Sequence, residues 1–258
     1  DLGTVPGFML FKRTDSSTWG QWWVYHRALA DGKALNLHSS DPQQGDGNNY
    51  WGTGSTFVRP TSTQVTIGEY PNQNGGTYVG YIFGHDAELF GEDGDASIIK
   101  CGSMTLSSGT ATVDLGWEPS FLMIKRIDGS GDWAIYDAMN SGLRRGDKQM
   151  LKPNTNDAQL NSNDPFDITA TGFKVTNGWA LMGGAGSTQH VYVAIRRSDG
   201  KVGKPAEEGT DVFATDTGNS SSTIPAYDSG FPVDFGLDKI TGSTGPWYAA
   251  TRLMDQKE

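Results

Sequence analysis

Histidine and cysteine are the side chains best able to carry catalysis or bind metals, and this chain has few of them. The histidines are His26, His38, His85 and His190, and none stands in an HExxH motif or another metal-binding spacing. The single cysteine, Cys101, leaves no disulfide within the chain, and its apolar run IIKCGS predicts a small buried side chain. We therefore predict no catalytic residue and no cofactor, although the many serines and aspartates leave a Ser-His-Asp arrangement open.

The densest acidic stretch is HDAELFGEDGDAS, residues 85–97. Within it Glu92, Asp93 and Asp95 place carboxylates on a glycine-containing loop, the kind of oxygen ligand that Ca²⁺ takes. The spacing is not that of an EF-hand loop. A solvated segment between two domains is the interpretation we favour, with a calcium site as the alternative.

Large aromatic residues outside the repeated positions are the candidates for binding. Trp51 lies in GDGNNYWGTGS, a polar loop in which a tryptophan has no evident core role. Exposed aromatic rings flanked by Asn and Asp can stack on sugar rings while the polar groups bind hydroxyls. Burial against a neighbouring domain or subunit is the interpretation we favour. The candidates for either role are Trp19, Trp23, Tyr50, Trp51 and Trp179.

Composition restricts the class of partner. The 258 residues include 20 Lys and Arg against 30 Asp and Glu, a formal net charge of -10. This charge repels phosphate backbones, so we predict no nucleic-acid partner. No apolar stretch reaches the roughly 20 residues of a membrane-spanning helix, so we predict no membrane insertion. The 35 glycines between short apolar runs are typical of an all-β protein rich in turns.

A sequence repeat shows which elements must position these residues. Residues 1–13, DLGTVPGFMLFKR, align with residues 114–126, DLGWEPSFLMIKR, and seven of the thirteen positions are identical. Further on, GTYVGYIF (76–83) aligns with QHVYVAIR (189–196). An offset of 113 residues is too long for a solenoid repeat and is the size of a domain, so we predict consecutive domains.

A third, partial copy sets the predicted boundaries. DVFATDTGNSS (211–221) resembles SIIKCGSMTLSS (97–108), so each unit opens with this strand and residues 97–105 belong to the second unit. We expect the chain to be a piece of a longer protein of such units. The predicted units are 1–96, a sandwich without its first strand; 97–200, a complete sandwich; 201–210, a linker; and 211–258, the first half of a third sandwich.

The repeated segments predict the fold class. FMLFKR and FLMIKR are apolar up to their charged ends, which is typical of central strands covered on both faces. Short strands separated by Gly and Asn turns indicate tandem antiparallel β-sandwiches. The Lys-Arg pairs at 12–13 and 125–126 are predicted to lie at the solvent edge. The recurring aromatics predicted to be buried at equivalent places are Phe8, Phe121, Trp22 and Trp133.

The repeated phrases, taken as a set, resemble a known module of tailed phages. These phrases are PSFLMIKR, WAIYD, LKPNTND, TGF and YVAI in the second unit, with their counterparts in the first. The chain is similar to repeated modules of virion and tail-fibre proteins of marine phages. That resemblance implies concanavalin- or laminin-G-like sandwiches on a virion surface, outside the cell.

The resemblance favours a non-enzymatic structural protein of a phage virion, such as a tail fibre. Its partners would be other virion subunits, including further copies of itself. A lectin-like module that binds host surface glycans is the alternative, and an enzyme such as a glycan depolymerase is a more distant one.

Overall fold

The structure is a computed structural model in which the described residues form strands, turns and loops. The described residues are 3–45, 50–54, 56–90, 96–137, 150–160, 166–176, 186–197, 209–218, 227–231, 233–239, 244 and 246–251. The chain divides into two compact units, Asp1–Arg197 and Ser198–Glu258. The strand pairs are antiparallel, which confirms the predicted all-β, antiparallel sandwich class.

The first sheet comes from the first copy of the repeat, with strands numbered along the chain. In spatial order its strands are β3 (Leu35–Asn36), β2 (Trp22–His26), β1 (Pro6–Arg13) and β6 (Tyr78–Gly84). A separate short hairpin pairs β4 (Gly52–Thr53) with β5 (Thr56–Phe57). β1 is the central apolar strand, and most of its side chains are buried, as the sequence predicted.

The second sheet repeats this arrangement and adds one strand. In spatial order its strands are β10 (Trp133–Asp137), β9 (Pro119–Arg126), β13 (Thr188–Arg196) and β7 (Ile99–Leu106). β7 pairs along its whole length with β13 of the second sheet, and the sequence predicted that this strand belongs with the second unit. The assignment of 1–96 and 97–200 to separate domains stays a prediction.

A third sheet covers the outer face of the second. Its strands, in spatial order, are β11 (Phe166–Thr169), β12 (Gly172–Val175) and β8 (Ala111–Asp114). The core between these two sheets contains Leu122, Ile124, Tyr136, Phe166 and Phe173, all fully buried. The second half of the unit is therefore a two-sheet sandwich.

The two large sheets also pack against each other through a shared core, here called the central core. It includes Phe8, Val24 and Leu35 of the first sheet with Cys101, Trp133, Val191 and Val193 of the second. The sheets of the first two repeats therefore cover one another within the compact unit Asp1–Arg197. This packing explains why β1 and β9 are apolar on both faces: each has one face in the central core and one in an outer core.

Strand registers correct the sequence alignment of the repeats by one residue. Lys12 pairs with Trp22 and Val79, while Lys125 pairs with Trp133 and Val191. Val79 is thus the counterpart of Val191, whereas the sequence alignment had matched it with the following residue. Because a one-residue slip moves every side chain of a strand to the other face, the register is decisive here.

Burial departs from the sequence prediction at three repeated positions. Trp133 is buried as predicted, but Trp22 and Phe121 are only half-buried. The sheets are offset, so that β3 and the loop after it lie over Trp133 while Trp22 packs beside Tyr81. Lys125, predicted to be solvated, is fully buried because the same loop covers it.

One glycine marks the closest approach of the two large sheets. A Cβ atom on Gly7 would lie 2.7 Å from Cys101 Sγ and 2.6 Å from His85 Cβ. Real Cβ atoms do not come this close to other atoms, so β1 and β7 can approach this far only with glycine at position 7.

The compact unit Ser198–Glu258 is a small hairpin with a short helical turn. A 3-10 turn (Gly209–Asp211) precedes β14 (Phe235–Asp238), which pairs with β15 (Tyr248–Thr251). Phe235, Leu237, Trp247 and Tyr248 are all exposed.

Candidate functional site

Three of the aromatic candidates lie inside an outer core of the first sheet. Trp23, Tyr50 and Trp51 are buried, and Trp51 donates its indole N–H to the Lys33 carbonyl over 3.0 Å. The Tyr50 ring lies 5.1 Å from the Trp23 ring, measured between ring centroids. The loop after residue 49 therefore folds back over β1 and β2, and these side chains are covered within the same half of the unit.

Trp19 is the aromatic candidate that reaches the surface. It is 41% exposed, and its ring lies 5.1 Å from the ring of Tyr70. Trp19 has a φ of 56°, a left-handed conformation that is rare for a bulky side chain. Sequence reasoning missed Tyr70, although it is also an aromatic residue outside the repeated positions. We call this pair the Trp19–Tyr70 platform.

Charged and polar groups anchor the loop that carries Trp19. Arg13 Nε donates to Asp15 Oδ1 over 2.8 Å, and Thr77 N–H donates to the same oxygen over 3.1 Å. The Arg13 hydrogen bond lowers the pKa of Asp15 to about 2. Arg13 also reaches the Thr18 carbonyl, next to Trp19. The loop is thus fixed at both ends, and the platform is held in place beside an ion pair.

The remaining candidates are Trp179 and the acidic residues Glu92, Asp93 and Asp95, and all four lie outside the described residues. Within the described ranges, no three His, Cys, Asp or Glu side chains come close enough together to hold a metal ion. No helix in that part of the chain is long and apolar enough to cross a membrane.

His26 is a structural link between the two large sheets. Ala28 N–H donates to His26 Nδ1 over 3.1 Å, so the ring hydrogen must sit on Nε2. Nε2 in turn donates to the Tyr192 carbonyl of β13 over 2.9 Å. Burial lowers the pKa of His26 to about 4, which keeps the ring neutral. With both nitrogens bonded to backbone, this histidine is poorly placed to act as a general base.

Burial also shifts the pKa values of His190 and Cys101 in the interior. His190 donates from Nδ1 toward the Thr188 carbonyl, and burial lowers its pKa to about 4. His85 Nδ1 accepts the Cys101 N–H over 3.0 Å. Burial raises the pKa of the Cys101 thiol to about 12, so the thiolate nucleophile is suppressed. His38 is exposed at the surface.

The buried histidine makes a prediction about acid stability. The unfolded chain binds a proton at His26 near the ordinary pKa of 6.5, while the folded chain does so only near pH 4. Between these values the unfolded state holds more protons, so stability falls as the pH is lowered. Lowering the pH from 7 to 5 is expected to cost about 1–2 kcal/mol through His26.

Urea unfolding of wild type and His26→Gln at both pH values measures this cost. In His26→Gln the free energy of unfolding should fall by about 1–2 kcal/mol less between pH 7 and 5 than in wild type. His38→Gln, which replaces an exposed histidine, should show the same fall as wild type. Equal pH dependence in all three proteins would contradict the assignment.

These features define a layered antiparallel β-sandwich protein in which the recurring residues build cores and one non-recurring aromatic pair meets solvent. The chain belongs to the DUF7483 family, a domain of unknown function, whose match covers residues 1–198. That range coincides with the compact unit Asp1–Arg197, in which the first two repeats pack together. No curated protein and no solved structure matches the chain.

Proposed function

We propose that this chain is a non-enzymatic structural module on the surface of a phage virion, in a tail fibre or a related appendage. The observation that carries the proposal is the central core, where Phe8 of the first repeat and Trp133 of the second lie buried between the two large sheets. A particle surface needs stable, repeated building units, and the recurring residues serve that need. The module would work outside the cell, beside other virion subunits and further copies of itself.

The chemistry of the interior supports a non-enzymatic role. The buried His26 is neutral and engaged with backbone, and the thiol of Cys101 is shielded. A nucleophilic site instead brings a histidine within hydrogen-bond reach of a nucleophile, with a third group to orient it. Incubation of the purified chain with bacterial surface polysaccharides tests this part of the proposal, and chain cleavage above a heat-denatured control would contradict it.

Particle composition tests the structural role directly. We expect mass spectrometry of purified phage particles whose genome encodes this chain to recover its peptides. Antibodies against residues 3–197 should label a surface appendage in electron micrographs. Recovery only from the lysate, with none on purified particles, would contradict a virion role.

A second candidate function is glycan binding, and the Trp19–Tyr70 platform is the observation that favours it. Two aromatic rings near the surface offer apolar faces to a sugar ring. The Arg13–Asp15 ion pair and the exposed Glu69 lie on the adjoining loops, where polar groups could bind hydroxyls. The module would then be both a structural unit and a receptor-binding one.

A glycan array probed with wild type, Trp19→Ala and Trp247→Ala tests this second function. Trp247→Ala is the matched control, because it removes an exposed tryptophan from the other compact unit. Trp19→Ala should weaken binding about tenfold, roughly the loss of 1–2 kcal/mol of stacking, while Trp247→Ala should not. Absence of binding by wild type, or equal loss in both variants, would contradict it.

A further inference from the structure

The outer edge of β6 is open where its counterpart in the second half is covered. β6 corresponds to β13, and β13 pairs with β9 on one side and β7 on the other. β6 pairs with β1, and within the described residues no strand lies on its other side. The difference shows in burial: Tyr81 is 49% exposed, whereas its counterpart Val193 is buried.

The open edge presents a regular row of backbone groups. Thr14 N–H donates to the Thr77 carbonyl, so hydrogen bonds to β1 fall on alternate residues starting at position 77. The N–H and C=O groups of Tyr78, Gly80 and Ile82 therefore point away from β1. At the equivalent place in β13, Arg196 N–H donates outward to the Ile98 carbonyl, next to β7.

The sequence of β6 lacks two of the features that usually protect an edge strand. YVGYIFG carries no charged residue and no proline. Natural sheets protect open edges with Lys, Pro, bulges or a covering segment, because a bare edge pairs with other strands. β6 is thus suited to accept a further strand.

The chain also contains a segment of the type that fills this place in the second half. DVFATDT resembles the start of β7, with Val212 and Phe213 at the positions of Ile98 and Ile99. Val212 and Phe213 are 64% and 70% exposed, and Ala214–Thr217 form neither helix nor strand. This segment has the sequence of a sandwich strand, and it pairs with no strand among the residues that the structure describes.

We propose that residues 212–218 of one copy add to the edge of β6 in a second copy, as an antiparallel strand equivalent to β7. The register transfers from the β7–β13 pair, in which Ile99 lies opposite Ile195 and Gly102 opposite Tyr192. Phe213 then lies opposite Phe83, and Asp216 lies opposite Gly80. Each copy both donates and accepts a strand, so the contact is heterologous and extends into a chain of copies.

Side-chain sizes fit this register. In the β7–β13 pair a Cβ atom on Gly102 would lie 2.4 Å from the Tyr192 hydroxyl, so the small residue is on β7. In the proposed pair the small residue is Gly80 on β6, and the donor carries the larger Asp216. The glycine therefore lies on β7 in the first pair and on β6 in the second, and each pair contains one glycine. The interface would explain how copies associate in the proposed structural role. The proposal rests on that role only for the expectation that copies associate.

Complementary variants test the two sides of the interface separately. Ile82→Lys places a charge on the accepting edge, and Ala214→Pro removes a donor N–H from the added strand. Val58→Lys and Val233→Asp are the matched controls. Val58 is 37% exposed against 38% for Ile82, and Val233 is an exposed apolar residue in the same unit as Ala214. Thermal unfolding of each variant checks that it is folded.

Sedimentation velocity of the 258-residue chain, from 1 to roughly 100 µM, is the measurement. We expect wild type and both controls to form concentration-dependent oligomers, and each interface variant to be monomeric. An equimolar mixture of the two interface variants should form a dimer and nothing larger, because one intact edge meets one intact donor.

Three outcomes would overturn the proposal. The first is a monomeric wild type over the whole range. The second is association that Ala214→Pro leaves intact, which would indicate that β6 pairs with another segment or with itself. The third is a mixture of interface variants that stays monomeric. None of these bears on whether the chain is found in virions, so the proposed function is tested independently.

Discussion

Replacement of Trp133 by alanine is expected to lower the free energy of unfolding of the unit Asp1–Arg197 by about 3–5 kcal/mol. The side chain is 2% exposed and fills the central core between the two large sheets. Its indole N–H donates to the Asn36 carbonyl over 2.9 Å, so the substitution also removes this hydrogen bond between the two sheets. The loss should reach both halves, because Asn36 belongs to the first sheet and Trp133 to the second.

Trp22→Ala is the matched control, since Trp22 occupies the equivalent strand position opposite a lysine. The Trp22 side chain is half-buried and packs beside Tyr81. Its replacement should therefore lower the free energy of unfolding by only about 1–2 kcal/mol. Denaturant unfolding followed by both circular dichroism and fluorescence gives the two values and shows whether the halves unfold together. Equal losses for the two variants would contradict the offset packing of the sheets.

The sequence predicted the elements and the fold class because these depend on local patterns. The apolar runs of β1 and β9 define central strands, and the structure confirms these strands. The assignment of residues 97–105 to the second unit came from their similarity to residues 211–221 of the third copy, and β7 pairs with β13 of that unit. Each of these inferences needed only periodicity and internal comparison.

Packing between the halves could not be predicted in the same way. A strand buried on both faces has the same apolar sequence pattern whether its second face packs against a loop, a sheet of its own half or the sheet of another repeat. The offset of the two sheets, which buries Trp133 and leaves Trp22 half-exposed, depends on distant contacts such as that with Asn36. The same offset encloses Lys125 and not its counterpart.

The candidate site was predicted only in part, for a related reason. A tryptophan in a polar loop such as GDGNNYWGTGS resembles a surface binder, yet Trp51 is fully buried because that loop folds over the sheet. Trp19 and Trp51 have similar sequence surroundings, and only the course of the chain separates them. Tyr70 would have been found by the same criterion of non-recurring aromatics applied to the whole first half.

The last prediction concerns Lys125, whose ammonium group lies between the sheets. It donates to the Arg126 carbonyl over 2.9 Å and the Ser40 carbonyl over 3.2 Å. Burial lowers the pKa of Lys125 to about 8, although Asp41 and Asp132 oppose the shift. The unfolded chain keeps this proton up to its ordinary pKa of 10.5, so between about pH 8 and 10.5 the unfolded state holds more protons. Stability therefore rises with pH across this window.

Comparison of wild type with Lys125→Met isolates this contribution, because the other titrating groups are shared. The free energy of unfolding of wild type relative to the variant should increase by about 1–2 kcal/mol between pH 7 and 9.5. Lys12→Met, which removes the equivalent side chain of the first half, is the control and should keep the rise. Guanidinium unfolding of the three proteins at pH 7 and 9.5 measures these free energies. A flat difference between wild type and Lys125→Met would mean that the ammonium group reaches water, and that the loop after β3 does not close over the second sheet.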